Sequence, residues 1–176
     1  MKIYNPFKKN FSRQELDAFE FLSNVSYFSK FTIEEFEDIF PYLHLRTYKQ
    51  NEVVFFRNDP SQAVYIVKTG KIEINLDIKD IFEVVETVKS GEIIGEGAFL
   101  PKKRRKFNAI VTSDDCEIYV FPQVSIFEIF NKYPAIKTKV LEIYANNLEK
   151  KMENILKSYR ENHGFFELSQ AFQTDK

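Results

Sequence analysis

Gly91-Glu92-Ile93-Ile94-Gly95-Glu96-Gly97-Ala98-Phe99-Leu100, continued by Pro101-Lys102-Lys103-Arg104-Arg105-Lys106-Phe107-Asn108-Ala109-Ile110-Val111, is the stretch on which the fold turns. Its glycines let backbone amides approach an anion closely, and a short helical turn there would aim N–H groups at a phosphate. A fixed acidic side chain in the same loop can accept from a sugar hydroxyl. An arginine a few residues on can neutralise a phosphate through its planar fork. Spacing alone leaves a plainer alternative, a glycine-rich connection followed by a solvated basic loop. Gly95-Glu96-Gly97 lacks the third glycine of a dinucleotide fingerprint, and no strand–helix–strand alternation surrounds it.

On both sides of this stretch, from Leu43 to Phe121, apolar residues recur with a period of two. Ile72, Ile74, Leu76 and Ile78 alternate with Glu73, Asn75, Asp77 and Lys79, as expected for a strand with one wet face. Cys116, Ile118 and Val120 alternate in the same way with Glu117, Tyr119 and Phe121. Val53–Phe56, Val64–Val67 and Ile81–Val88 are further β-branched or aromatic runs. Turn residues separate them: Asn58-Asp59-Pro60, Thr69-Gly70, Lys79-Asp80, Ser90-Gly91 and Asp114-Asp115. Short, evenly spaced strands predict an antiparallel barrel or sandwich.

Further out the period becomes helical. Ser12-Arg13-Gln14-Glu15 and Thr32-Ile33-Glu34-Glu35 are capping boxes, with Phe11 and Leu16, then Phe31 and Phe36, as hydrophobic staples. Ile33, Phe36, Ile39 and Phe40 form one helical face, which Pro41 ends. After Pro122, residues Ile126, Phe127, Ile129, Phe130 and Tyr133 share a face up to Pro134. A long helix is predicted from about Ala135 to about Arg160. In it Leu141, Leu148 and Ile155, and likewise Ala145, Met152 and Tyr159, recur every seventh residue. That stripe can dock on the barrel or pair with a twin helix in a homodimer.

The 176 residues are long enough to bury a proper core, and a net charge of −1 argues against general nucleic-acid binding. One cysteine excludes an internal disulfide and favours a reducing compartment. Met1 to Pro6 carry no apolar signal segment, and no apolar run approaches the ~18 residues of a membrane span. A soluble cytoplasmic protein is expected. His44 and His163 stand far apart, Cys116 falls in a strand pattern as an inert core thiol, and no Cys/His set has metal-ligand spacing. Asp114-Asp115 reads as a turn. Neither catalysis nor a metal or cofactor is expected.

Three motifs in sequence then carry a resemblance. Val64-Tyr65-Ile66-Val67-Lys68-Thr69-Gly70-Lys71-Ile72-Glu73-Ile74 is similar to a strand–glycine–strand signature. Gly91-x-x-x-Gly95-Glu96-x-Ala98-x-Leu100 is similar to the start of a phosphate-binding cassette, and Phe127-x-x-Phe130-x-x-x-Pro134 to a hinge before a long helix. Together, from about Phe28 to about Lys151, they resemble the cyclic nucleotide-binding domain family, of the catabolite activator and cyclic-AMP-dependent kinase regulatory-subunit type. The resemblance implies a mainly β fold with flanking helices: an antiparallel eight-stranded β-roll, jelly-roll-like, with N-terminal helices and a long C-terminal helix. The implied division is residues 1–42 for N-terminal helices, 43–121 for the roll, 122–160 for hinge and C-helix, and 161–176 for a tail. No helix-turn-helix domain is expected in the 161–176 tail, so DNA binding by this chain alone is not.

By the same resemblance, the ligand is a cyclic nucleotide, cAMP or cGMP. Glu96 would accept from its ribose, and the backbone of Gly95 and Ala98 would surround its phosphate. Gly97, Phe99, Asn108 and Ala109 complete the candidate set. The family's arginine has two placements. Counting back from Ala109 puts Phe107 there; counting forward from Glu96 puts Arg105, or its neighbour Arg104, there across a longer loop. Without an arginine, one charge-assisted bond worth about 1.5–3 kcal/mol would be lost, and the fold would serve as an interaction module. The basic run Lys102–Lys106 is either a solvated loop tip or a contact for ligand or partner.

Overall fold

Gly70 shows how closely the strands are drawn together. Its φ of +89° lies in the left-handed region, and a Cβ there would sit 2.6 Å from the Asp115 carbonyl oxygen and 2.9 Å from Cys116 Cα. Only glycine makes this turn without strain. The computed structural model describes residues 11–78 and 81–163. It runs α1 (Arg13–Ser23), α2 (Ile33–Ile39), a 3-10 turn (Phe40–Tyr42), β1 (His44–Lys49), β2 (Val53–Phe55), β3 (Ala63–Thr69), β4 (Lys71–Ile78), β5 (Ile81–Lys89) and β6 (Ile93–Ile94). A second 3-10 turn (Glu96–Phe99) precedes β7 (Asn108–Val111), β8 (Asp115–Pro122), α3 (Gln123–Lys132) and α4 (Pro134–His163).

Among the described residues, the strands make two four-stranded sheets, ordered β1-β8-β3-β6 and β2-β7-β4-β5. Every strand pair is antiparallel. This is the eight-stranded jelly-roll with flanking helices that the resemblance implied. The layer between the sheets is built on Val67, Ile72, Val111, Cys116 and Ile118. Burying one such side chain fully is worth about 1.5–3 kcal/mol. A second layer lies on the outer face of the first sheet, where α1, α2, α3 and the start of α4 bury Leu22, Phe36, Ile39, Ile126 and Val140.

That second layer overturns one expectation. Tyr119 and Phe121 were assigned to a wet face, but both are buried, because the helices cover the side of β8 that alternation alone would leave in water. Asn75 is a second exception. It is buried in β4, where its Oδ1 accepts from the Asn108 amide at 3.1 Å and so stays hydrogen-bonded out of water. Both capping boxes form. Phe31 packs on Phe36 as expected, at 5.8 Å between ring centroids and an interplanar angle of 41°. Phe11 instead packs on Phe19 at 5.4 Å, and Leu16 is exposed, since Phe19 faces the core. The long helix continues to His163, past the expected end near Arg160. The expected Lys79-Asp80 turn, residues 1–10 and residues 164–176 lie outside the described residues. No helix among the described residues is long and apolar enough to cross a membrane.

Candidate phosphate-and-sugar site

The loop after β6 begins with Gly95, whose φ of +79° starts the 3-10 turn. A Cβ at Gly95 would lie 2.4 Å from Arg105 Nη1 and 3.0 Å from the Ala63 carbonyl. The glycine is therefore there for the close approach of an arginine. Arg105 is 5% exposed. Its Nη1 donates to the Gly95 carbonyl at 3.1 Å and its Nη2 to the Ala63 carbonyl at 2.7 Å. The guanidinium carbon lies 4.2 Å from the Phe55 ring centre and 5.4 Å from that of Tyr65, a cation on aromatic faces. Its Nε is buried with no hydrogen-bond partner. Among the described residues no acid is within ion-pair distance of it. Burial, the largest influence, pulls the Arg105 pKa below its ordinary value, which Tyr65 and the Asp59 charge oppose. A cation held out of water without a paired anion is the chemistry of an anion receptor.

Arg105 is aimed inward by backbone pairing with a distant segment. Its N–H donates to the Asp59 carbonyl and its carbonyl accepts from Asn58 N–H, both at 2.9 Å. Arg104 is not part of this cluster. It is exposed, and its Nη1 donates to the Asn58 carbonyl at 2.7 Å. Phe107 is half-buried against the inner layer, as Phe55 and Tyr65 are. The long loop is thus accommodated by bridging Arg104 to Pro60, leaving Arg105 as the residue beneath Gly95.

Glu96 follows. Its side chain is 18% exposed, and its Oε1 accepts from the Tyr27 hydroxyl at 3.3 Å. The Lys151 ammonium of α4 stands 3.7 Å from the same oxygen. Burial, with the Glu96 charge next, raises the Tyr27 pKa well above its ordinary value, so this hydroxyl stays a donor. Gly97 lies against Ser61, whose Oγ would be 3.2 Å from a Cβ there. Ala98 and Phe99 are buried, and Phe99 touches Tyr27, Phe130 and Tyr144 at 5.3, 6.3 and 6.1 Å between ring centroids.

Two predicted residues serve the sheet. Asn108 is buried in β7, accepting from Arg57 N–H at 2.8 Å and donating to Asn75, and Ala109 pairs with Phe55 and Ile74 in the inner layer. Sequence reasoning missed Tyr27, Phe55, Tyr65 and Lys151, which reach the site from other elements. It also missed Gln123, the first residue of α3. Its Nε2 donates to the Ala98 and Leu100 carbonyls at 2.9 and 3.0 Å, tying the cassette to the hinge.

A buried guanidinium and a carboxylate on one glycine-rich turn can take a phosphate and a neighbouring sugar hydroxyl. Comparison with known proteins bears on family and fold. The sequence pattern of the cyclic nucleotide-binding domain matches residues 45–133. The cyclic AMP receptor protein of Thermus thermophilus is 24% identical over 130 residues, 73% of this chain and 60% of that protein. The catabolite activator protein of Thermus thermophilus superposes with a TM-score of 0.65 at 23% identity, over 77% of this chain and 64% of the other. The regulatory domain of Toxoplasma gondii PKA, crystallised with cAMP, superposes with a TM-score of 0.61 at 18% identity, over 70% and 46%. The chain thus spans less than two thirds of each. At these identities the superpositions speak for the fold alone.

Proposed function

This chain belongs to the cyclic nucleotide-binding domain family, and we propose that it is a cytoplasmic sensor or adaptor that binds cAMP or cGMP and relays the event through α3 and α4. The observation that carries this is Arg105: a buried guanidinium, held in place by the Gly95 and Ala63 carbonyls, with its Nε unpartnered. A cyclic phosphate at Gly95–Ala98 supplies the missing counter-charge, and Glu96 accepts from the ribose. Charge-assisted bonds to phosphate are the strong ones, and Arg105 offers its unpartnered Nε directly and its Nη groups by exchange with two backbone carbonyls.

The relay follows from Gln123, whose amide holds two carbonyls of the cassette. A phosphate that reorders Gly95–Ala98 displaces those carbonyls and pulls on the first turn of α3. Phe99 carries the same displacement to Phe130 and Tyr144. The signal is a population shift between two packings of α3 and α4, driven by the ligand's preference for one. No catalytic step is involved. A homodimer through the exposed part of α4 belongs to the same proposal, and DNA binding would come from another chain.

Titration calorimetry tests it. Wild-type protein is expected to give heat with cAMP or cGMP, and Arg105→Gln to weaken binding about 10- to 100-fold, the equivalent of about 1.5–3 kcal/mol. No heat with either nucleotide at high protein concentration would sink the proposal. A specific observation favours the rival reading, an interaction module without ligand: both Nη groups of Arg105 already bond carbonyls. In that case Arg105→Gln lowers stability and changes no nucleotide response.

A further inference from the structure

Tyr144, Asn147 and Lys151 lie at i, i+3 and i+7 on α4, one face of the helix, and that face meets the cassette and Tyr27. Tyr144 packs on Phe99 at 6.1 Å. Asn147 stands near the Tyr27 hydroxyl, which itself donates to Glu96. Lys151 stands 3.7 Å from Glu96 Oε1. The carboxylate oxygen assigned to a ribose hydroxyl is therefore already shared between a tyrosine of the N-terminal segment and a lysine of the C-terminal helix.

The rest of α4 is held differently along its length. Near its start, Ile136 and Val140 are buried, and Lys139 pairs with Glu35 at 2.7 Å. Tyr133, just before it, donates to Asp38 at 2.5 Å. Beyond Tyr144 the helix is mostly exposed. It is a lever with a fixed root, and among the described residues Lys151 forms the ion pair between its outer half and the cassette.

We propose that Lys151 is an intramolecular rival of the ligand: its ammonium latches the outer half of α4 onto Glu96, and the ribose hydroxyl must displace it to bind. This rests on the cyclic-nucleotide reading of the site. It makes the carboxylate a switch with two alternative partners, so the ligand both enters the site and frees the helix end. Because the Lys151 side chain is 56% exposed, the latch is weak and readily exchanged, which suits a device that must open.

Two measurements on the full chain test the latch. Without nucleotide, Lys151→Gln is expected to speed amide hydrogen exchange in residues 145–160 about two- to fivefold, the effect of a half-exposed ion pair. Residues 134–142 should be unaffected. In calorimetry the same variant is expected to bind cAMP or cGMP about two- to fivefold more tightly than wild type. Lys151→Glu should move both readouts further in the same direction. Unchanged exchange, or weaker nucleotide binding by Lys151→Gln, with wild type binding normally, overturns the latch and leaves the ligand site standing. Failure of wild type and variant alike to bind either nucleotide overturns both.

Discussion

At the scale of single residues, the site depends on Gly95 having no side chain. Its left-handed φ and the 2.4 Å distance from an added Cβ to Arg105 Nη1 act together. Gly95→Ala is expected to cost about 1–3 kcal/mol of stability, read as a lower urea midpoint with an unchanged slope. It should also remove nucleotide binding, because the arginine has to leave its position beneath the turn. An unchanged midpoint would mean that the loop relaxes freely and that Arg105 is not fixed there. Gly95 and Glu96 were legible only through the resemblance, since glycine and polar residues are ordinary in turns and spacing alone left a plain connection as the alternative. The arginine was ambiguous between two counts because the loop's path is set by contacts with residues 58–61, from Arg104 to Pro60 and from Arg105 to Asn58 and Asp59. No spacing rule within the loop contains that information. Tyr27 and Lys151 were invisible for the same reason: one tyrosine and one lysine carry no signal until the fold brings them to Glu96.

At the scale of elements, α4 is where pattern and packing part. The heptad spacing of Leu141, Leu148 and Ile155 is plain in the sequence, yet the three have different surroundings. Leu141 packs partly against the outer core layer. Leu148, Met152 and Ile155 are 46%, 44% and 67% exposed. Periodicity identifies an apolar stripe but not which part of it the domain itself covers, since Ile136 and Ile155 are the same residue type. The uncovered part is the surface proposed to meet a second copy. Leu148→Glu is expected to convert a dimer to a monomer in sedimentation velocity at micromolar concentration, with little effect on the fold because the position is half in water. A profile identical to wild type would exclude the stripe as the interface. The β-strands show the same division of information. Alternation located β8, but only the helices packed on its outer face explain why Tyr119 and Phe121 are buried.

At the scale of the whole molecule, the cassette joins the two apolar layers. Ile94 belongs to the layer between the sheets, whereas Ala98 and Phe99 belong to the layer beneath the helices. A ligand that fixes this short segment therefore acts on both layers, and its binding energy adds to global stability. At a nucleotide concentration of about 100 times Kd, the folded state gains about 2.7 kcal/mol. In a domain of this size each kcal/mol is worth about 2–4 °C, so a rise in Tm of about 5–10 °C is expected with the cyclic nucleotide that binds. Arg105→Gln should lose about half or more of that rise at the same nucleotide concentration, and Lys151→Gln should keep it, since only the first removes a ligand contact. The linear 5′-monophosphate is the discriminating control: it carries an extra negative charge and a free 3′-hydroxyl, so a pocket shaped for a cyclic phosphate should bind it poorly. An equal rise with the linear and cyclic forms would show a general anion site. No rise with any of them would show that the charge buried at Arg105 serves the scaffold alone.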